Sequence, residues 1–170
     1  TTLGNASTQF HYVTVVANTI LDTSAASSYA LTLVRQMLVS GTLKCNASTL
    51  DLGSGSDIAQ WMLVVDSTGT FTGGTGTHTI GCIWLNGGSV TLSSGATTIN
   101  GRYAGGWNHC MDFNAPSTFS HGNGSISFTF ADVQLLRDTN NTARTFNNFT
   151  VDKSAGNVLQ FINTKGFDIT

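Results

Sequence analysis

The chain has 170 residues, of which 26 are Thr, 17 Ser, 14 Asn and 19 Gly, and its formal net charge is −2. Its nine acidic residues are all Asp, and only 9% of the chain is charged, against ~25% in an average soluble domain. This composition excludes Glu- and Lys-rich helical bundles, highly charged disordered chains and basic nucleic-acid-binding domains. No stretch approaches the ~18 apolar residues of a membrane helix, so we predict no membrane span.

Polar and apolar residues alternate with a period of two along most of the chain, which predicts short strands. Residues 10–20 are partly apolar on both sides, which is typical of a strand buried on both faces or lying at an interface. Residues 28–39 are ambiguous, because Leu31, Val34 and Leu38 would line a helix while Leu31, Leu33 and Met37 would line a strand. The other predicted strands are bounded by Gly, Ser or Asn and cover 41–45, 49–52, 62–65, 69–72, 78–83, 89–92, 96–99, 125–130, 149–151, 158–162 and 167–169.

Segments of similar pattern recur. Residues 49–55 and 89–95 both read polar, apolar, polar, apolar, followed by a small-residue turn that ends in Gly. Trp61, Trp84 and Trp107 follow one another at intervals of 23 residues, which is a spacing found in structural repeats. We therefore predict one all-β domain over residues 1–170, a parallel β-helix (β-solenoid) of about seven coils with Leu, Val and Ile inside and Thr, Ser and Asn outside.

Three motifs carry a family resemblance. They are V-S-G-T-L at 39–43 followed by A-S-T-L-D-L-G at 47–53, G-G-S-V-T-L-S-S-G at 87–95, and T-F-N-N-F-T-V-D-K-S-A-G-N-V at 145–158. These motifs resemble the coils of β-solenoid repeat proteins among bacterial surface adhesins and phage structural and tail-fibre proteins. The resemblance covers 37–100 and 124–170. It implies a right-handed parallel β-helix, an extracellular, cell-surface or virion location, and a structural or adhesive role.

Residues 101–119 depart from the coil pattern, because aromatic and charged residues such as Arg102 and Tyr103 replace the polar–apolar alternation. We predict that this segment forms a loop that protrudes from the solenoid. The first 30 residues also fit the coil pattern poorly. A jelly roll or β-sandwich therefore stays open as the alternative fold.

The predicted loop also holds the one candidate ligand site. Trp107, His109 and Asp112 lie close together in sequence, and an aromatic ring beside a carboxylate suits contact with a sugar. We predict sugar binding there without catalysis, since no nucleophile elbow, phosphate-binding loop or cofactor motif occurs. We predict no cofactor and no metal site, and we interpret His11 and His78, which lie in strand-like runs, as packed or surface residues.

The three cysteines, Cys45, Cys82 and Cys110, have no C-x-x-C spacing. Two interpretations remain open: one disulfide with one remaining thiol in an oxidising compartment, or three buried thiols that act as small hydrophobic groups. The sequence starts without Met or a signal-like segment, so we expect a processed product or a piece of a longer polypeptide.

Both ends of the chain are strand-like and would leave open sheet edges, which other subunits or more of a longer chain would cover. We therefore expect a non-enzymatic building block of an extracellular filament, adhesin or phage virion appendage. Its partners would be further copies or neighbouring subunits, with a surface glycan as an additional ligand and no nucleic acid. The alternative function is a carbohydrate-binding or carbohydrate-cleaving β-helix similar to phage tail spikes.

Overall fold

The computed structural model describes residues 8–23, 30–53, 57–58, 62–105, 108–140, 142–153, 157–162 and 167–169. Every regular element in these ranges is a strand. The strands are β1 (Thr8–Val15), β2 (Ile20–Asp22), β3 (Ala30–Val39), β4 (Thr42–Lys44), β5 (Thr49–Leu52), β6 (Asp57–Ile58), β7 (Leu63–Asp66), β8 (Thr70–Thr72), β9 (His78–Ile80), β10 (Ile83–Asn86), β11 (Ser89–Thr91), β12 (Ala96–Ile99), β13 (Arg102–Tyr103), β14 (His109–Ala115), β15 (Thr118–Ser120), β16 (Ser125–Phe128), β17 (Gln134–Asp138), β18 (Arg144–Phe146), β19 (Phe149–Val151), β20 (Leu159–Ile162) and β21 (Phe167–Ile169). The prediction of an all-β chain is confirmed, and the ambiguous segment 28–39 is a strand over its described part, residues 30–39.

Nearly all strand pairs are parallel, and they group into three columns. The first column runs β1, β3, β5, β9, β12, β16 and β19. The second column runs β1, β3, β7, β10, β14, β17 and β20. The third column runs β2, β4, β8, β11 and β15, and the pair β18–β21 follows it. The strands β1 and β3 are long enough to belong to the first two columns at once.

The chain visits the columns in a fixed order, first, second and then third. The run β5, β7, β8 is followed by β9, β10, β11, and one such pass is called a level below. Successive residues in the first-column ladder, such as Leu31, Leu50 and His78, lie 19 to 29 positions apart. The interval of 23 between tryptophans is therefore an intermediate value and not a constant repeat, and Trp61 and Trp107 lie outside the described residues.

The hydrophobic core is built from alternate residues that stack from level to level. The second column stacks Met37, Leu63, Ile83, Met111 and Leu136, all of which are fully buried. Burial of these side chains supplies the main stabilisation, at about 25 cal/mol for each Å² of apolar surface. Towards the last strands the core becomes aromatic, and its ring contacts join Phe113, Phe119, Phe146, Phe149, Phe161 and Phe167.

The predicted loop 101–119 lies largely within this stack. β14 pairs with β10 and β17, and β15 pairs with β11, so residues 109–115 and 118–120 occupy regular positions in the second and third columns. The part that departs is β13, which pairs with β6. Both short strands belong to long connections between the first and second columns, and we call these two connections the excursions.

Tight corners allow the levels to stack. Gly74 has a φ of +69°, and a Cβ added there would overlap the backbone carbonyl of Asn46 in the level before it. Non-glycine residues with positive φ in the described ranges are all asparagines, including Asn46, Asn123 and Asn148. Asn adopts this left-handed conformation more readily than other L-residues, so the abundance of Gly and Asn in the sequence has a direct structural cause.

Candidate functional site

Two of the three predicted site residues are brought together by β14. His109 and Asp112 are three positions apart, and His109 Nδ1 lies 3.4 Å from Asp112 Oδ2. Trp107 lies outside the described residues. A regular strand places residues three positions apart on opposite faces. The register of β14 against β17 shifts between His109 and Met111, and this irregularity, which the sequence pattern did not predict, allows the two side chains to meet.

The structure adds a third member, Arg137 of β17, which is paired in register with Asp112. Its guanidinium binds the carboxylate with two hydrogen bonds, Nε to Oδ1 at 2.9 Å and Nη2 to Oδ2 at 2.5 Å. This bidentate geometry is the strongest form of an ion pair between these groups. Arg137 follows Asp112 by 25 residues, which is about the length of one level. This separation in sequence is the signal from which their contact could have been predicted.

The three side chains form a buried cluster. Side-chain exposure is 3% for His109, 2% for Asp112 and 23% for Arg137. Burial raises the pKa of Asp112, but hydrogen bonds from His109 and Arg137 and the positive charge of Arg137 outweigh this effect and hold the pKa below its usual value. The carboxylate therefore stays ionised and bound to its partners. A sugar would have to displace these contacts to reach it, so sugar contact at Trp107, His109 and Asp112 stays a prediction.

A second ion pair lies at the corner between the second and third columns. Arg144 Nε donates to Asp138 Oδ2 at 2.6 Å, and the two side chains are 5% and 0% exposed. Arg144 also donates to the Ser117 carbonyl at 2.9 Å and stacks 4.4 Å above the Phe113 ring. Asp138 is the register partner of Phe113 in the second column. The ion pair therefore occupies a core position that holds an apolar side chain in the level before it.

A third polar cluster occupies the corner between the first and second columns. The Lys153 ammonium donates to the carbonyls of Phe130 and Asp132 and to Gln134 Oε1, at 2.8, 2.9 and 2.7 Å. Burial lowers the pKa of Lys153. Arg102 binds Asp132 nearby, at 2.8 Å between Nη2 and Oδ2. Since the ammonium has three hydrogens and each is bound, this lysine is suited to holding the corner and not to nucleophilic chemistry.

His78 is the polar group placed most deeply in the core. Its Nδ1 accepts a hydrogen bond from the Leu50 backbone N–H at 3.2 Å, and its Nε2 lies 2.7 Å from the Gly73 carbonyl. These partners require a neutral ring with the proton on Nε2. Burial lowers the pKa of His78, which favours that same form. The interpretation of His78 as a packed residue is confirmed.

All three cysteines are buried thiols in this structure, the form that the second of the two interpretations describes. Burial raises the pKa of Cys45 and of Cys82 to about 12 and raises that of Cys110 further. Thiols with such values are almost entirely protonated near neutral pH and are poor nucleophiles.

Within the described ranges, no group of three or more His, Cys, Asp or Glu side chains is arranged to hold a metal ion. The same part of the chain contains no helix that is long and apolar enough to cross a membrane. The polar clusters at Asp112, Asp138 and Lys153 all connect one level of the stack to the next.

A scan against protein-family models matches no family, and searches of curated proteins and of solved structures match no relative.

Proposed function

We propose that this chain is a non-catalytic structural building block, a right-handed parallel β-helix of about seven coils that assembles through its two open ends. The three columns and the fixed order in which the chain visits them support the coiled fold. Parallel connections within one sheet are right-handed in ~98% of cases, which supports the handedness.

The observation that carries the proposal is the character of the last level. Among the described strands, β19, β20 and β21 each pair on one side only. Large apolar side chains on these strands are nevertheless exposed, by 46% for Phe161, 47% for Ile162 and 56% for Ile169. A free edge with exposed apolar side chains is the surface that a further strand covers in β-augmentation.

The first level has the same character. β1 and β2 each pair on one side among the described strands, and Tyr12 and Ile20 are exposed by 55% and 58%. The two ends consist of different strands, and each has free strand edges and exposed apolar side chains. Such ends favour a head-to-tail contact between subunits, which generates an open stack. We propose that this stack forms part of an extracellular filament, an adhesin or a phage virion appendage.

Sedimentation velocity over a range of concentrations, together with electron microscopy, tests the assembly. We expect the wild-type protein to form extended oligomers that grow with concentration. Phe161→Asp places a charge on the exposed end of the aromatic core and should shift the protein to monomers. Val34→Asp is a matched control, because Val34 is 44% exposed on β3 within the stack, and it should still assemble.

The Ile169→Asp variant provides a second test at the third column in case Phe161→Asp disturbs the aromatic contacts of the last level. Circular dichroism melting confirms that each variant is folded before its size is interpreted. A wild-type protein that stays monomeric at the highest concentration would contradict the proposal. So would Val34→Asp and Phe161→Asp losing assembly to the same extent.

A further inference from the structure

Cys82 and Cys110 occupy equivalent positions on successive levels. Cys82 directly precedes Ile83 and Cys110 directly precedes Met111, and these two following residues are register partners in β10 and β14. On its other side β14 has a register shift at Cys110, between His109 and Met111. Neighbouring strands lie ~4.8 Å apart, and a disulfide spans Cα separations of about 4.4–6.8 Å. The register therefore places the two cysteines on adjacent levels, with Cys82 directly before β10 and Cys110 within β14, and the spacing between such strands lies within the range of a disulfide.

In the reduced form the two thiols have partners on different levels. The Cys110 thiol donates to the Leu135 carbonyl at 3.3 Å, and the Met62 backbone forms a hydrogen bond with Cys82, so both side chains rotate away from these partners when the disulfide forms. Both side chains are fully buried and belong to the same hydrophobic core, and Cys110 is close enough for the charge of Cys82 to affect its pKa. Cys45 follows β4 at the corner between the third and first columns, so it lies at a different corner and on an earlier level. The geometry thus singles out one pair among the three cysteines.

We propose that Cys82 and Cys110 form an intramolecular disulfide when the chain folds in the presence of a disulfide oxidant such as glutathione disulfide, and that Cys45 remains a thiol. One cysteine thiolate attacks the oxidant and releases one glutathione thiolate. The second cysteine thiolate then attacks the mixed disulfide and releases the other. The two protons lost by the cysteines end on the two glutathiones, so one disulfide is formed and one is reduced.

Burial determines when this reaction takes place. In the folded protein both thiols are protonated and hidden, so exchange with the oxidant is slow. In the folding chain both are accessible. Once formed, the bond joins β10 to β14 in the middle of the stack and is protected from reductants by the same burial. The free thiols in this structure correspond to the reduced form of the pair.

The experiment is oxidative refolding of the full chain from denaturant in a glutathione redox buffer, with a parallel sample in a reductant. Thiols are then counted with a maleimide under denaturing conditions, and crosslinked peptides are identified by mass spectrometry. We expect the reduced sample to label at all three cysteines and the oxidised sample to label at Cys45 alone. The crosslinked peptide should contain Cys82 and Cys110.

Variants make the assignment independent of the peptide map. Cys45→Ser should still oxidise completely and leave no free thiol, whereas Cys82→Ser should leave no intramolecular crosslink. The oxidised wild-type protein should have a higher urea midpoint than the reduced protein, because the crosslink restricts the unfolded chain. Three free thiols after oxidative refolding, or a crosslink that includes Cys45, would overturn the proposal.

Discussion

Thr97 places an unpaired hydroxyl inside the core. It stacks between His78 and Ile126 in the first column and is 1% exposed, and its Oγ1 has no hydrogen-bond partner among the described residues. Burying an unpaired hydroxyl costs ~1–3 kcal/mol. We therefore expect Thr97→Val, which keeps the shape and removes the hydroxyl, to raise the free energy of unfolding by about 1 kcal/mol in urea titrations. Thr79→Val, on the outer face of β9, is the control and should change it little.

His78 makes the stability of the fold depend on pH. The pKa of His78 is lowered in the folded state, so the unfolded chain takes up a proton at a higher pH than the folded chain does. The free energy of unfolding therefore falls as the pH drops below about 6.5. Protonation would put a second N–H against the Leu50 N–H, which now donates to this ring. The loss can reach ~1.4 kcal/mol per pH unit until the folded pKa is reached.

The matched variant for this pH effect is His78→Gln, which keeps a polar group with a donor and an acceptor but does not titrate. Urea unfolding at several pH values between 5 and 8 measures the difference. We expect the wild-type protein to lose more stability on acidification than the variant does. Identical pH profiles for the two proteins would show that His78 titrates alike in the folded and unfolded states.

Asn148 tests the role of backbone conformation at the corners. It is exposed and has a φ of 46°, in the left-handed region that costs most residues about 1–2 kcal/mol. We expect Asn148→Ala to lower the free energy of unfolding by about 1 kcal/mol, while Asn148→Gly keeps it near the wild-type value because Gly adopts this conformation freely. Thermal melting of the two variants separates the backbone effect from loss of the side chain. Equal losses in both would assign the effect to the side chain.

At the scale of the element, the bidentate pair of Asp112 and Arg137 ties β14 to β17. Asp112→Asn removes the negative charge and leaves Arg137 against a buried neutral amide, for which we expect a loss of about 3 kcal/mol in urea unfolding. The double variant with Arg137→Leu removes both charges and should recover part of that loss. Asp51→Asn, at an exposed position on β5, is the control and should change stability by less than about 0.5 kcal/mol.

Strand positions could be predicted from the sequence because one face of each strand is buried. The apolar residues of the period-two pattern indicate which face that is. Residues 49–52 and 96–99 were predicted with the bounds that the structure gives. The segment 28–39 was ambiguous because β3 turns from the first column into the second. The odd-numbered residues are buried on both sides of the transition, but Val34 and Arg35 are both exposed at it. The period of two is therefore interrupted at Arg35.

The contacts of the candidate site could be predicted only in part. His109 and Asp112 were identified because unusual residues lie close in sequence, but their partner Arg137 comes from the next level. Levels differ in length by up to ten residues, so no constant interval in the sequence connects one to the next. Asp138 and Arg144 are only six residues apart, but the period of two does not show that the corner between β17 and β18 brings their side chains together. Residues 101–119 resembled a loop because aromatic and charged residues interrupt the polar–apolar alternation there.

For the whole molecule, stacking in one direction means that most levels contact only the level before and the level after. Among the described strands, those of the terminal levels pair on one side only, so these levels should open first. We expect amide hydrogen exchange in dilute protein to be fastest in β20 and β21 and slowest in β9, β10 and β11. Under assembling conditions the terminal strands should become protected. Uniform protection in dilute protein would contradict this nearest-neighbour behaviour.

The excursions alter how such a stack comes apart. β6 lies in the excursion of the level that contains β7, and β13 lies in the excursion of the level that contains β14. The pairing of β6 with β13 therefore spans the level of β10, which lies between these two levels. Fraying that reaches either outer level would have to break this bridge as well as the ordinary ladder. The three levels should consequently unfold as one cooperative block, and under a pulling force along the axis they would act as a clamp between two segments that unzip stepwise.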